Sequence, residues 1–108
     1  PDAIARYRQH VRSLLARRNS ITGVAYAEDP AIMSWQLANE PRPGGSDAAI
    51  AANRAAYLGW IAETAALIRA GAPQHLVSLG QEGTMATNGD AGLVADAHSR
   101  IDYVTAHI

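Results

Sequence analysis

Residues 32–42 constrain the fold of this chain more than any other part of the sequence. The segment starts as an apolar run and passes through Asn39 and Glu40 to Pro41. A strand covered on both faces is apolar throughout instead of alternating, so the run predicts a buried strand to about Ala38. Pro41 ends regular structure, because proline lacks an N–H and restricts the residue before it. Glu40 is therefore predicted at the end of a buried strand, an unfavourable place for a carboxylate that carries no function.

Helices and short strands alternate along the whole chain. The predicted elements are, in order, a helix capped by Asp2, the strand that ends near Ala38, a helix capped by Ser46 that ends near Ala70 before Gly71, a strand at 75–79, a short helix from Asp90 to about Ala97, and a strand at 101–108. Strands that alternate with helices favour a parallel sheet with right-handed crossovers. The sequence therefore predicts an α/β fold.

Composition excludes several classes of function. The 108 residues carry a formal net charge of −1, which provides no electrostatic basis for binding nucleic acid or an anionic membrane. The chain has no cysteine, so it can form neither a disulfide framework nor a thiolate metal site. No apolar run approaches the roughly 20 residues that span a membrane. No grouping of His, Asp and Glu has the spacing of a metal site, so we expect neither a metal nor another cofactor.

Polar residues follow each of the three predicted strands. Asn39 and Glu40 end the first strand, Glu82 comes shortly after the second, and His107 lies at the end of the third. In parallel α/β architectures ligands bind at the carboxyl ends of the strands. The pattern is typical of an active site in a barrel or an open sheet, although ordinary loops also begin with such residues.

Four blocks of sequence resemble glycoside hydrolase family 5 and, within it, the β-mannanases. The blocks follow one another along the chain in the order that the family has them. The blocks are residues 32–42 with Asn39-Glu40-Pro41, residues 18–30 with Thr22-Gly23-Val24-Ala25-Tyr26 and Asp29-Pro30, residues 75–83, and His98 followed by residues 101–108. The first block resembles the fourth-strand signature of the family. A lone Asn-Glu-Pro would be a weak signal, but the four blocks together cover nearly the whole chain.

The resemblance implies that residues 1–108 form a single partial catalytic domain. The chain would run from about the third helix to the sixth strand of a TIM (β/α)8 barrel and would contain three of its strands. Both ends of the domain would then lie outside this sequence. Three strands taken from a closed barrel leave two unpaired edges, so we expect such a piece to be marginally stable or to self-associate through those edges.

The resemblance also implies roles for individual residues. Glu40 matches the general acid/base, which needs a carboxyl group that is protonated near the working pH and hence partly desolvated. Asn39 matches the amide that holds the 2-hydroxyl of the sugar. His107 matches a histidine that shapes the cleft near the cleaved bond, with a buried structural histidine as the alternative.

The second carboxylate of the reaction is not expected in this chain. The family takes its nucleophile from the seventh strand, beyond the sixth strand at which this sequence ends. Glu82 is therefore predicted to contact the sugar, or alternatively to hydrogen-bond within its loop. Arg42 is expected to orient a neighbouring carboxylate or loop in preference to touching sugar.

The function implied by the resemblance is retaining cleavage of β-1,4-mannosidic bonds in mannan-type polysaccharides. We expect the intact parent to be a secreted or periplasmic endo-1,4-β-mannanase, and the isolated chain to be inactive because it lacks the nucleophile. Two alternatives stay open. The parent could be a cellulase, a glucanase or an exo-β-mannosidase of the same family, or the chain could be a non-catalytic carbohydrate-binding or assembly fragment.

Overall fold

The structure, a computed structural model, describes residues 2–107, so Ile108 of the third predicted strand lies outside the described residues. Helices and strands alternate along the chain as predicted. They are α1 (Asp2–Ala16), β1 (Ser34–Gln36), α2 (Asp47–Gly71), β2 (Leu76–Ser78) and α3 (Ala91–His98). Two short 3-10 helices, at Tyr26–Glu28 and Gly83–Thr87, fall in segments that were predicted as loops.

The sheet is parallel. β1 and β2 pair with Trp35 opposite Val77, and the long helix α2 connects them. Backbone pairing continues past the regular part of β1, because the Leu37 N–H donates to the Ser78 carbonyl at 3.0 Å. The predicted strand before Asn39 is therefore present, with a shorter regular part than the apolar run. Parallel strands joined through a helix confirm the α/β prediction.

The third predicted strand, at 101–108, is corrected to a single parallel bridge. That bridge joins Tyr103 to Ser78, and the sheet in the described part of the chain has two regular strands. One backbone bond joins the segment to β2, from the Asp102 N–H to the Val77 carbonyl at 2.8 Å, and side chains take the other places that backbone groups hold in a ladder. The Asp102 carboxylate accepts the Val77 N–H at 2.7 Å, and Ser78 Oγ donates to the Tyr103 carbonyl at 3.0 Å. The segment therefore lies beside β2 without forming a regular strand.

The predicted caps of the second and third helices are confirmed. The Ser46 side chain accepts from the Ala49 N–H at 3.3 Å, and the Asp90 side chain accepts from the Leu93 N–H at 2.9 Å. Each cap satisfies one of the backbone donors that a helix leaves free at its start. Gly71, which was predicted to follow α2, is its last residue.

The core lies between α1, α2 and the sheet. The face of α2 that packs on the sheet is buried and includes Ile50, Tyr57, Ile61, Ala65 and Ile68. α1 contributes Val11 and Leu15, and Val77 of β2 is fully buried against them. Complete burial of one such aliphatic side chain contributes roughly 1.5–3 kcal/mol. The helices thus fix one face of the sheet.

The other face of the sheet is only partly covered within residues 2–107, where the segment at Tyr103 lies against Ser34 and buries Ser78. Leu76 projects to the side opposite Val77 and is 44% exposed. In the same residues β1 has a strand neighbour on one side only. No helix among the described residues is long and apolar enough to cross a membrane.

Candidate active site

The segments that follow the paired strands meet at one end of the sheet. The Glu40 N–H donates to the Gly80 carbonyl at 2.8 Å, which ties the end of β1 to the end of β2. His107, from the segment beside β2, places Nδ1 3.0 Å from Glu40 Oε1. The structure therefore brings together two predicted site residues that are far apart in sequence.

Glu40 has a backbone conformation that is uncommon for its residue type. Its φ is +51°, in the left-handed region, and Pro41 follows directly. A non-glycine residue held there costs on the order of 1–3 kcal/mol, and such positions cluster at active sites. After the end of β1, this backbone conformation gives the Glu40 carboxylate a different direction from the one that a strand would give it.

Gly80 makes this close approach possible. Its own φ is +78°, and a Cβ atom at this position would lie 2.1 Å from the Ala38 carbonyl oxygen. No side chain fits there, so the two backbones can approach only because residue 80 is glycine. Gly80, two residues after the end of β2, thereby sets the position of Glu40.

The predicted acid/base group is partly open in the described residues. The Glu40 side chain is 43% exposed and that of His107 is 34% exposed. Asn39, directly before Glu40, is also exposed, which leaves its amide accessible to a ligand. Residues 2–107 thus provide the His107 contact but only part of the desolvation that a general acid requires.

Glu82 and Arg42 form a two-pronged ion pair beside these residues. Arg42 Nε donates to Glu82 Oε2 at 2.6 Å, and Arg42 Nη2 donates to Glu82 Oε1 at 2.5 Å. The Glu82 side chain is 9% exposed, whereas that of Arg42 is 48% exposed. Planar pairing of this type fixes geometry as well as charge. Arg42 therefore orients a carboxylate, as expected from its place after the motif.

The ion pair keeps both partners charged. The hydrogen bond from Arg42 lowers the pKa of Glu82 more than burial raises it, with a smaller contribution from His107. The hydrogen bond to Glu82 raises the pKa of Arg42. Glu82 is thus an ionised, loop-bound carboxylate, and the predicted sugar contact would have to use lone pairs that Arg42 leaves free.

Two residues next to the site were not predicted to belong to it. Tyr57 lies on the buried face of α2, and Gln81 lies in the loop that follows β2. The Gln81 side chain is fully buried, and its Nε2 donates to Tyr57 Oη at 2.9 Å. Tyr57 Oη in turn donates to the Pro41 carbonyl at 3.0 Å. Sequence spacing gives no signal for such a contact, because Gln81 and Tyr57 belong to different layers of the fold.

Trp35 and His75 form hydrogen bonds within the fold. Trp35 Nε1 donates to His75 Nδ1 at 2.9 Å, and His75 Nε2 lies 3.0 Å from the Asp29 carbonyl. An indole N–H can only donate, so Nδ1 accepts and Nε2 carries the proton. In the described part of the chain, no group of three or more His, Cys, Asp or Glu residues is placed to hold a metal ion.

Comparison with known protein families and sequences gives a consistent result. A family model described as GH family 5 beta-mannosidase-like matches residues 1–108. Mannan endo-1,4-beta-mannosidase 1 of Oryza sativa subsp. japonica is 39% identical over 77 residues, which are 71% of this chain and 17% of the relative. The chain thus spans less than a fifth of the length of that relative.

Two solved structures resemble the whole chain. The glycoside hydrolase family 5 mannosidase from Rhizomucor miehei has a TM-score of 0.79 and 36% identity, covering 100% of this chain and 23% of that one. The endo-1,4-beta-mannanase from Rhizomucor miehei has a TM-score of 0.78 and 32% identity, covering 99% of this chain and 34% of that one. The match over the full chain to a part of each enzyme confirms the prediction of a partial barrel.

Proposed function

The chain belongs to the β-mannosidase-like group of glycoside hydrolase family 5, and on this basis we propose that its parent protein cleaves β-1,4-mannosidic bonds in mannan-type polysaccharides with retention. The curated relative and one of the solved structures above are named as mannan-cleaving enzymes. The chain itself supplies one of the two carboxylates of the reaction. Retaining glycosidases use two carboxyl groups about 5–5.5 Å apart.

The pairing of Glu40 with His107 is the observation that supports this proposal. Glu40 protonates the leaving oxygen as a general acid and later deprotonates the attacking water. His107 Nδ1, at 3.0 Å from Glu40 Oε1, restricts the rotation of the carboxyl group and exchanges a hydrogen bond with it in both protonation states. The pair therefore suits a group that must act first as an acid and then as a base.

Asn39 and Glu82 are proposed to bind substrate. The exposed amide of Asn39 holds the sugar 2-hydroxyl, a contact that strengthens in the oxocarbenium-like transition state. Glu82 is fixed by Arg42, so its remaining lone pairs present a rigid acceptor to a sugar hydroxyl. Rigid acceptors bind hydroxyls with little loss of side-chain entropy.

The nucleophile is proposed to come from outside these residues. Because the isolated chain would then carry half of the catalytic pair, we expect it to be inactive on mannan. Further barrel strands would also cover Glu40, which is 43% exposed here, and would complete its desolvation.

The first experiment compares the intact parent protein with its Glu40→Ala variant. Removal of a general acid costs about 10²–10⁴-fold on mannan, but much less on an aryl glycoside whose good leaving group departs without protonation. Glu63→Ala is the control, since Glu63 is an exposed partner of Arg8 between helices α1 and α2. Equal activity of wild type and Glu40→Ala on mannan would contradict the acid/base role.

Assays of the intact parent protein also decide which polysaccharide it cleaves and whether it cleaves within the chain or from an end. Release of reducing sugar from mannan but not from cellulose would separate a mannanase from a glucanase. Internal chain cleavage, seen as an early fall in viscosity, would separate endo from exo action. No hydrolysis of any β-linked polysaccharide by the intact parent would instead favour a carbohydrate-binding or assembly role.

Secretion is proposed from the size of the substrate. A mannan polymer does not cross a cell membrane, so the enzyme that first cuts it has to meet it outside the cytoplasm. Activity found in the cytoplasmic fraction alone would contradict this part of the proposal.

A further inference from the structure

We propose that Tyr57 and Gln81 are positioning residues that set the geometry of Glu40 relative to His107. The inference rests on the proposed function of Glu40 as the acid/base. Neither residue touches substrate in this proposal, because each acts through backbone groups next to the site.

Tyr57 fixes the residue that follows Glu40. Its hydroxyl has one proton, which it donates to the Pro41 carbonyl at 3.0 Å, and it accepts the Gln81 Nε2–H at 2.9 Å. Burial raises the pKa of Tyr57 to about 12, so the hydroxyl keeps its proton at all working pH values. The Pro41 carbonyl is therefore held at a constant position over the surface of α2.

Gln81 links this contact to the segment that carries His107. Its backbone N–H donates to Thr105 Oγ1 at 2.8 Å, and Thr105 lies two residues before His107. One fully buried residue thus connects, through its side chain and its backbone, the chain after Glu40 and the chain before His107. A shift of Gln81 would move the two catalytic partners relative to each other.

The orientation of the Gln81 amide follows from the donors available. Turning the amide over would place its oxygen against Tyr57 Oη, whose one proton already goes to Pro41. With the amide as it stands, Gln81 Oε1 is buried without a partner in residues 2–107. A buried acceptor without a partner is destabilising, and an apolar side chain would avoid that loss. The reason for an amide at position 81 is therefore its Nε2–H donor, which orients the Tyr57 hydroxyl.

The strain at Glu40 is the reason why such restraints matter. Its left-handed backbone, with φ of +51°, persists only where surrounding bonds over-determine it. The hydrogen bond from the Glu40 N–H to the Gly80 carbonyl restrains the backbone before Glu40 Cα. The hydrogen bond from Tyr57 Oη to the Pro41 carbonyl restrains the backbone after it. Loss of the second restraint allows the backbone to relax and the carboxyl group to turn away from the leaving oxygen.

The test uses the intact parent protein and the variants Tyr57→Phe and Tyr7→Phe. Tyr7 is a matched control, because its hydroxyl also donates to a backbone carbonyl near β1, that of Leu37 at 2.6 Å, without contact to Pro41 or Gln81. Each variant is assayed on aryl β-mannobiosides with a poor and with an activated leaving group. Tyr57→Phe is expected to lower kcat/KM about 10-fold on the poor leaving group and less than about 3-fold on the activated one.

The ratio of the two losses separates positioning from general damage. Tyr7→Phe is expected to leave that ratio unchanged, whatever it does to thermal stability. Gln81→Met, which keeps the volume but removes the donor, is expected to behave like Tyr57→Phe. Equal losses of Tyr57→Phe on both leaving groups, or no loss, would overturn the proposal.

A readout independent of activity keeps this inference distinct from the proposed function. Hydrogen exchange of the Glu40 and Arg42 amides, which flank Pro41, is expected to accelerate in Tyr57→Phe and not in Tyr7→Phe, whose hydrogen bond ends at Leu37. Unchanged exchange would overturn the positioning role even if Glu40→Ala proved the acid/base role. Faster exchange in a parent without glycosidase activity would support the restraint on Glu40 and overturn the catalytic function proposed for it.

Discussion

At the scale of single residues, the site depends on backbone positions as much as on side chains. Glu40 reaches His107 because its φ is positive, and it can adopt that φ because Gly80 leaves room for the approaching chain. The sequence shows that a glutamate and a glycine stand at positions 40 and 80. Their mutual fit depends on atoms of two strands that are distant in sequence.

Gly80→Ala is expected to destabilise the parent protein by more than about 2 kcal/mol. The new Cβ would lie 2.1 Å from the Ala38 carbonyl oxygen, on a backbone whose φ of +78° disfavours any L side chain. Chemical denaturation measures the free energy of unfolding. Gly45→Ala is the control, because a Cβ there meets no atom within 4 Å, and its effect should stay within about 0.5 kcal/mol. Similar values for both variants would contradict the steric argument.

Sequence reasoning predicted that Glu40, Glu82 and His107 lie at strand ends, and it did not predict the contact between Tyr57 and Gln81. These three residues come after predicted strands, so their place at the carboxyl end of the sheet could be predicted from strand order alone. Tyr57 and Gln81 contact each other across layers, and a helix pattern shows only that Tyr57 faces inward. Three-dimensional packing is needed to see that its hydroxyl reaches Pro41.

At the scale of elements, local rules predicted the helices better than the third strand. Ser46 and Asp90 cap their helices through contacts three residues away, which are readable in the sequence. The segment after residue 100 has an apolar, β-branched pattern that favours a strand. Beside the backbone bond from the Asp102 N–H to the Val77 carbonyl, its contact with β2 uses the Asp102 and Ser78 side chains, and that competition with the backbone is not visible in a hydrophobic pattern.

Asp102→Ala is expected to loosen this segment in a pH-dependent way. The Val77 N–H lowers the pKa of Asp102, helped by the ion pair with Arg69, so the folded state binds its proton more weakly than the unfolded state does. Because its pKa is lower in the folded state, Asp102 stabilises the fold at pH values above its pKa in the unfolded state, which is about 4. That stabilisation is lost as the pH falls.

Unfolding midpoints of the parent protein measure the effect. The variant should be less stable than wild type at pH 7 by about 1.5–3 kcal/mol, the net value of a hydrogen bond to a charged group. The difference should shrink as the pH is lowered below about 4. A difference that is constant between pH 3 and pH 7 would contradict the role assigned to the ionised carboxylate.

At the scale of the whole molecule, residues 2–107 form a two-layer piece in which helices cover one sheet face and the other face is only partly covered. The helices bury Val77 and its neighbours, while Leu76 on the other side remains 44% exposed. The outer edge of β1 also lacks a strand neighbour in the described part of the chain. Exposed edges of this type template pairing with another chain.

The isolated 108-residue chain is therefore expected to self-associate. Sedimentation velocity at increasing concentration should show species larger than a monomer. Gln36→Lys, which adds a charge to the exposed surface of edge strand β1, should reduce that association. A chain that stays monomeric at all concentrations, with or without the substitution, would contradict the expectation.

The positive φ of Glu40 also has a consequence for protein engineering. Glycine and asparagine tolerate the left-handed region better than glutamate does, so either of them at position 40 would relieve the strain. Thermal tolerance and turnover therefore pull in opposite directions at this position. A screen that rewards heat resistance alone would tend to discard the candidate acid, whereas a screen that also scores turnover would retain it.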